Sequence, residues 1–154
     1  MKLSRIDYVW VTLQILLFGA YLVPLYLPFE IPSLLLWPTQ LIILLGILEI
    51  CWALLQMGRF LSPFPKPVQE SKLITGGVFA IVRHPIYSGI FLIAAGYGFY
   101  SESLYRVMMA FVLLIFFYLK SLYEERNLKA FFKDYEAYAQ QTGRLFPKLF
   151  GTKP

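Results

Sequence analysis

Charge is scarce in this chain. Only 15% of its 154 residues are charged, against 58% hydrophobic and 18% aromatic. A soluble domain carries about a quarter charged residues, so water is excluded as the medium for most of this surface and a lipid bilayer is the natural solvent. Cysteine is nearly absent. The lone Cys51 rules out an intrachain disulfide and a cysteine-based zinc cluster, and its place in an apolar run predicts a buried packing role. Histidine also occurs once, as His84. No internal repeat or low-complexity stretch divides the chain, which reads as one membrane domain over residues 1–154.

What is abundant is apolar length. A helix that crosses a bilayer needs about 20 mostly apolar residues, and four runs are candidates: 6–27, 34–57, 86–100 and 104–123. The first follows Lys2 and Arg5, as a signal peptide would, but it is too long and lacks a small-residue cleavage site, so a retained anchor is expected. Arg106 and Lys120 lie near the two ends of the fourth run, where long basic side chains reach the interface. Thirteen of the fourteen Lys and Arg residues fall on one side of such a bundle, with Arg106 alone on the other. Positive residues stay on the cytoplasmic side of short loops. The expectation is therefore an all-α membrane protein with four spans and both termini cytoplasmic. The net charge of +5 suits anionic lipid headgroups and calls for no nucleic acid.

The loops 28–33 and 101–103 are short, which forces antiparallel hairpins. The connector 58–85 is long. Pro63, Pro65 and Pro67 interrupt any helix there, and Gly76 and Gly77 permit unusual backbone. Its apolar "LITGGVFAIV" predicts that it folds back on the membrane face and lines a cavity, where irregular backbone is tolerated. In 124–150, Leu128, Phe131, Phe132, Tyr135, Tyr138 and Ala139 recur at helical spacing, predicting an amphipathic helix that ends near Thr142 and Gly143.

Within the apolar runs, Ala94 and Gly98, with Gly89 and Gly96 nearby, have the spacing of close helix packing. The run "FFY" at 116–118 reads as lipid-facing. Glu49 lies roughly 12 Å inside its helix end; a carboxylate at that depth is a candidate functional group, a protonated acid or the partner of a basic side chain.

Polar residues converge on the cytoplasmic boundary: Arg83 and His84 before the third run, Glu124 and Glu125 after the fourth, and Arg144 further on. Pro85 at a first helical turn leaves amides pointing outward for an anion. The glutamates suit a cation, and Tyr87, Tyr135 and Tyr138 offer ring faces. A ligand with a carboxylate, an amine and an aromatic ring fits that set.

The stretch "RHPIYSG" resembles the Arg-His-Pro-x-Tyr-x-Gly motif of the isoprenylcysteine carboxyl methyltransferases and the related phospholipid methyltransferases. "EERNLKAFFKDYEAYAQQTGRLFP" is similar to the same family's second signature of paired glutamates, two tyrosines three apart and Arg-x-x-Pro. Both blocks stand in family order across residues 72–148. The resemblance implies an integral membrane enzyme using S-adenosylmethionine without a Rossmann domain, with a cytoplasmic cofactor pocket closed by the C-terminal segment. It assigns His84, Pro85, Tyr87 and Gly89 to the first cofactor block and Glu124, Glu125, Tyr135, Tyr138, Arg144 and Pro147 to the second, with no metal. Glu125 is the expected contact to the cofactor amine and the backbone near His84 to its carboxylate. The implied acceptor is lipid-like or a small amphiphile, a carboxylate such as isoprenylcysteine being favoured. A carboxylate is ionised at neutral pH, with a pKa near roughly 4, so no general base is needed; Arg83 or Arg144 could grip it bidentately. For an amine or thiol, His84 or a glutamate becomes the base. Two alternatives stand beside this reading: a nicotinamide-dependent reductase of the sterol type, and a non-catalytic membrane scaffold.

Overall fold

The computed structural model of the chain describes residues 3–25, 27–66 and 72–148, with Arg59 by its backbone alone. Lys2, Pro67 and residues 149–150, all used in the reading above, lie outside the described residues. Among the described residues five α-helices run in order: α1 (Arg5–Leu22), α2 (Leu36–Met57), α3 (Pro85–Tyr100), α4 (Leu104–Phe131) and α5 (Tyr135–Gln141). Short 3-10 turns lie at Ser33–Leu35, Gly58–Phe60 and Gly77–Ala80. Among the described residues no strand forms, only two isolated bridges.

Local chemistry sets the ends. The Ser4 amide and hydroxyl both donate to the Asp7 carboxylate, at 2.5 and 2.8 Å, fixing the start of α1. α1 stops at Leu22, earlier than the apolar run, because Val23 precedes Pro24 and a residue before proline is pushed out of the α region. α2 ends at Gly58, whose φ of 48° favours glycine. Pro85 is the first residue of α3 and Ser103 caps α4. α4 continues eight residues past Tyr123, so the expected amphipathic helix is in fact the end of α4, a break at Phe132–Asp134, and the short α5.

α2 and α4 are long and apolar enough to cross a bilayer. Their outward side chains, Leu55 and Ile115 among them, are apolar and exposed, a surface suited to lipid. α3 is the shared neighbour, packed on α2 along one side and on α4 along another, while α1 packs on α4. Gly46 and Gly89 bring α2 and α3 together: a Cβ on either would stand 2.7–2.8 Å from the other's carbonyl oxygen. Gly96 lies against Ile43 and Thr39, and Gly98 against Val107 of α4. The small-residue spacing thus serves helix approach, as expected. Two other expectations fail. Phe116 and Phe117 belong to the buried core with Ala94, Ala110 and Leu113, because α4 is flanked on two sides, by α1 and α3; only Tyr118 of that run is exposed. Cys51 is exposed on α2.

At one end of the bundle the two short loops are joined: Leu104 donates to the Leu27 carbonyl (2.8 Å), Phe29 to the Glu102 carbonyl (3.1 Å), and Ile31 to the Glu102 side chain. At the other end the connector folds back. Gln56 pins it, donating to the Gly76 carbonyl and accepting from the Val78 amide, where Gly77 takes a φ of 60°. Val78 and Phe79 are buried against Ala53 of α2. The C-terminal segment closes on the same end, Gly143 and Arg144 accepting from the amides of Arg83 and His84 at 2.8 and 3.1 Å.

Candidate active site

The two polar sequence blocks meet at one buried charge cluster. Arg83 comes from the end of the connector, His84 caps α3, Glu124 and Glu125 lie on α4, and Arg144 follows α5. Glu125 is the hub. Its Oε1 accepts from Arg83 Nε and Arg144 Nε, both at 3.0 Å, and its Oε2 from Arg144 Nη2 at 2.8 Å. His84 Nε2 lies 3.2 Å from the same Oε1, while His84 Nδ1 faces Glu124 Oε2 at 3.4 Å. The imidazole therefore bridges the two carboxylates. Burial alone would lower the His84 pKa, but its contacts with Glu124 and Glu125 outweigh that and raise it above the usual 6.5.

Around this hub the rings stack. Tyr87 lies nearly parallel to both His84 and Phe117, and its hydroxyl donates to Glu124 Oε1 at 2.5 Å. Tyr138 donates to the Phe79 carbonyl at 2.6 Å, tying α5 to the connector; burial pushes its pKa up to about 12. Arg83 Nη1 also donates to the carbonyls of Ala139 (2.8 Å) and Thr142, so one guanidinium clamps α4 and the C-terminal segment together.

A cavity of about 510 Å³ opens beside the cluster, within the range that holds a small molecule. His84, Pro85, Tyr87, Glu124, Tyr135 and Tyr138 line it, as do Arg83 and Lys120. The connector supplies another wall from Phe60 to Lys66 and at Leu73, Ile74 and Phe79, as its apolar sequence predicts. The Tyr135 hydroxyl is fully buried and has no hydrogen-bond partner among the described residues, although Arg83 is near enough to oppose the rise that burial gives its pKa. An orphaned hydroxyl on a cavity wall calls for a ligand atom.

The structure also redistributes roles. Gly89 faces Gly46 and Ile50 in the α2–α3 seam and not the cavity, and Pro147 is exposed on the C-terminal segment. Glu125 and Arg144 stand behind the lining. Glu125 is spent on three basic side chains, which leaves Glu124 as the carboxylate presented to a ligand. The amides of Arg83 and His84, offered by the sequence to an anion, are taken by Gly143 and Arg144. Glu49 accepts from the Ser88 hydroxyl at 2.6 Å rather than from a basic side chain.

Lys120, which the sequence places at the membrane interface, belongs to this site instead. It does not reach out to the interface: it is 1% exposed and donates to Gln14 Oε1 at 2.6 Å and the Pro63 carbonyl at 3.1 Å. The signal was its position four residues before Glu124, on the same helix face. Asp7, in the first turn of α1, pairs with Lys66 at 3.0 Å and accepts from Tyr123.

Residues 35–135 match the phospholipid methyltransferase family. The chain belongs to that family. It is similar to a probable protein-S-isoprenylcysteine O-methyltransferase of Oryza sativa subsp. japonica, 42% identical over 74 residues, 47% of this chain and 39% of the relative. Protein-S-isoprenylcysteine O-methyltransferase B of Arabidopsis thaliana is 36% identical over 93 residues, 58% of this chain and 47% of the relative. The cobalt-zinc-cadmium resistance protein CzcN of Cupriavidus metallidurans is 28% identical over 115 residues, 73% of this chain and 52% of the relative. The match thus spans from two fifths to about half of the length of these relatives. It supports the resemblance drawn from the two motifs, and membership of this family fits the apolar outer surface of α2 and α4 with a place in the membrane.

Proposed function

We propose that the chain is a four-span membrane enzyme that transfers a methyl group from S-adenosylmethionine to a lipid-like or small amphipathic acceptor at the cytoplasmic face, with both termini on that side. The observation that carries this reading is the convergence of residues from both motif blocks on the lining of one cavity, whose remaining walls are mostly apolar. When bound, S-adenosylmethionine would supply a methyl group on a sulfonium, which an ionised carboxylate accepts without giving up a proton.

The residues present fit such a cofactor. Glu124 offers a carboxylate to an amine, Tyr87 and Tyr138 line the space for a planar base, and the Tyr135 hydroxyl is free to donate. Glu125 and Arg144, behind the lining, and Arg83, at its edge, act as positioning residues, holding His84 and the C-terminal segment against α3. Holding both reactants in one water-poor cavity is worth several kcal/mol of the barrier. α1 packs on α4 and α2 on α3, yet Gln14 of α1 and Ile50, Leu54 and Met57 of α2 line the same cavity. An acceptor chain entering laterally from the bilayer would pass between these α1 and α2 residues.

The test is incubation of the purified full chain with methyl-labelled S-adenosylmethionine and a membrane lipid extract, with calorimetry of S-adenosylmethionine and of reduced nicotinamide cofactor alongside. A labelled lipid and heat from the sulfonium alone are expected. Binding of the nicotinamide, or of neither, by folded protein overturns the reading.

A further inference from the structure

Among the cations of this site Lys120 is placed differently from the arginines. Arg144 is bound bidentately to Glu125, and Arg83 divides its donors between Glu125 and two backbone carbonyls. Lys66, at the cavity wall, is paired with Asp7. Lys120 is as buried as any residue in the core, yet its close partners, Gln14 Oε1 and the Pro63 carbonyl, are both neutral. The one carboxylate within 4 Å among the described residues, Glu124, stands off at 3.9 Å, and the oxygen concerned already accepts the Tyr87 hydroxyl. An ammonium has three donors, and here two are used. A desolvated cation without a close counter-charge is costly.

The charges of the whole cluster point the same way. Arg83, Lys120 and Arg144 face Glu124 and Glu125, which leaves the site positive even with a neutral imidazole. A sulfonium donor that carries one ammonium and one carboxylate adds a further positive charge. The missing partner is an anion. We propose that Lys120 is a specificity-determining residue that holds the anionic head group, a carboxylate or a phosphate, of the methyl-accepting amphiphile. This rests on the cavity being a methyl-transfer site. Gln14 and Pro63 hold the ammonium over the Tyr87 ring, 5.3 Å from its centroid, beside the ring block that is to receive the cofactor. Ile50, Leu54 and Met57 of α2 supply an apolar part of the cavity lining, against which an apolar tail would lie. An ammonium head group at the same place would face Lys120 at close range in a low dielectric, which is repulsive.

The experiment is native mass spectrometry of the detergent-purified full chain with hexadecanoate, hexadecyl phosphate, hexadecylamine and hexadecanol in competition. The tails are equal, so the head group alone sets the ranking, and the two anions separately show which chemistry the site takes. Wild type should retain at least one anion about tenfold over the amine and the alcohol, the worth of one charge-assisted hydrogen bond. Lys120→Met should erase that ranking; Lys120→Gln, which keeps a donor without the charge, serves if the methionine variant does not fold. Preference of wild type for the amine, no head-group preference, or an unchanged ranking in a folded variant overturns the proposal. S-adenosylmethionine calorimetry on the same wild-type sample separates the two readings: no cofactor binding with the anion ranking intact removes the methyl-transfer role and keeps the anion site.

Discussion

Along α3, one face meets α2 through Gly89 and Gly96, and the first turn meets α4 and the C-terminal segment through His84, with Arg83 just ahead of it. The seam brings backbones together by removing side chains. Its stability comes mainly from dispersion spread over many close contacts, with the hydrogen bond from Ser88 to Glu49 as a polar link, and it can form in lipid where burial of apolar surface drives nothing. The cluster does the reverse. It buries Arg83, His84, Glu124 and Glu125 together, so each group is tolerable only while its partners stay. A helix held rigidly along its length and electrostatically at one end suits a site that must present fixed groups to a ligand beside a segment that closes over it.

The comparison breaks most severely at Glu125. Glu125→Gln leaves Arg83 and Arg144 buried without a counter-charge, and breaking such a buried pair costs about 3–5 kcal/mol. A large fall in thermal midpoint is expected, with cofactor affinity lost even in the folded fraction. Arg144→Met alone should also destabilise, and the double variant should fall short of the sum of the singles, since both remove one interaction. Strict additivity in a double-mutant cycle would show that Glu125 is not the hub. An effect of Glu125→Gln below that of a seam variant would reverse the roles given to the two regions.

The cluster also makes stability depend on pH. His84 binds its proton more tightly folded than unfolded, because Glu124 and Glu125 outweigh the burial that opposes its charge. The stability it contributes is fully present below the unfolded value of 6.5 and is lost as pH rises through the raised folded value. Thermal midpoints measured from about pH 6 to about pH 9, spanning the range of an imidazole, should fall with rising pH in wild type. His84→Gln should remove that part of the slope. A midpoint that rises with pH over this range in wild type would contradict the bridging imidazole.

A smaller effect is expected at Gly96→Val, whose Cβ would stand 2.8 Å from Ile43 Cγ1 and 3.0 Å from the Thr39 carbonyl oxygen. Forcing methyl groups into a packed core costs about 1–3 kcal/mol. Gly96 lies three turns from His84, so stability should drop while cofactor affinity in the folded fraction holds. Loss of affinity with unchanged stability would mean that the seam and the cluster are not separable.

The two regions were legible in the sequence to different degrees. The seam could be read from the spacing of small residues in an apolar run, because close helix approach leaves a periodic mark. The convergence of the motif blocks was also legible, as charges placed at the same end of an apolar bundle have few other places to go. What sequence spacing does not carry is which partner takes which charge. Lys120 reads as an interfacial lysine because its acceptors, Gln14 and the Pro63 carbonyl, come from α1 and from an irregular connector, a neutral side chain and a backbone group without motif signature. Phe116 and Phe117 read as lipid-facing for the same reason: their burial depends on α1 and α3 flanking α4, which hydrophobicity alone does not distinguish from lipid. The extension of α4 past Tyr123 was hidden because charged and aromatic residues at helical spacing continue across it without a helix-breaking signal until Phe132.

The mildest expected effect is at the join between cluster and connector. Tyr138 donates to the Phe79 carbonyl at 2.6 Å, and Phe79 sits in the 3-10 turn Gly77–Ala80 that α2 holds through Gln56. Tyr138→Phe keeps the ring and removes one hydrogen bond, worth about 1 kcal/mol. The carbonyl so released lies where α5 rests on the connector, so the loss should be local: faster amide exchange at Val82, Arg83 and His84, whose neighbours α5 helps to hold, with the α2–α3 amides unchanged. Arg83 still clamps Ala139 and Thr142 in that variant, so the C-terminal segment stays attached and the global midpoint moves little. Faster exchange throughout α3 instead would mean that the C-terminal segment, rather than the glycine seam, fixes the helix on which the site is built.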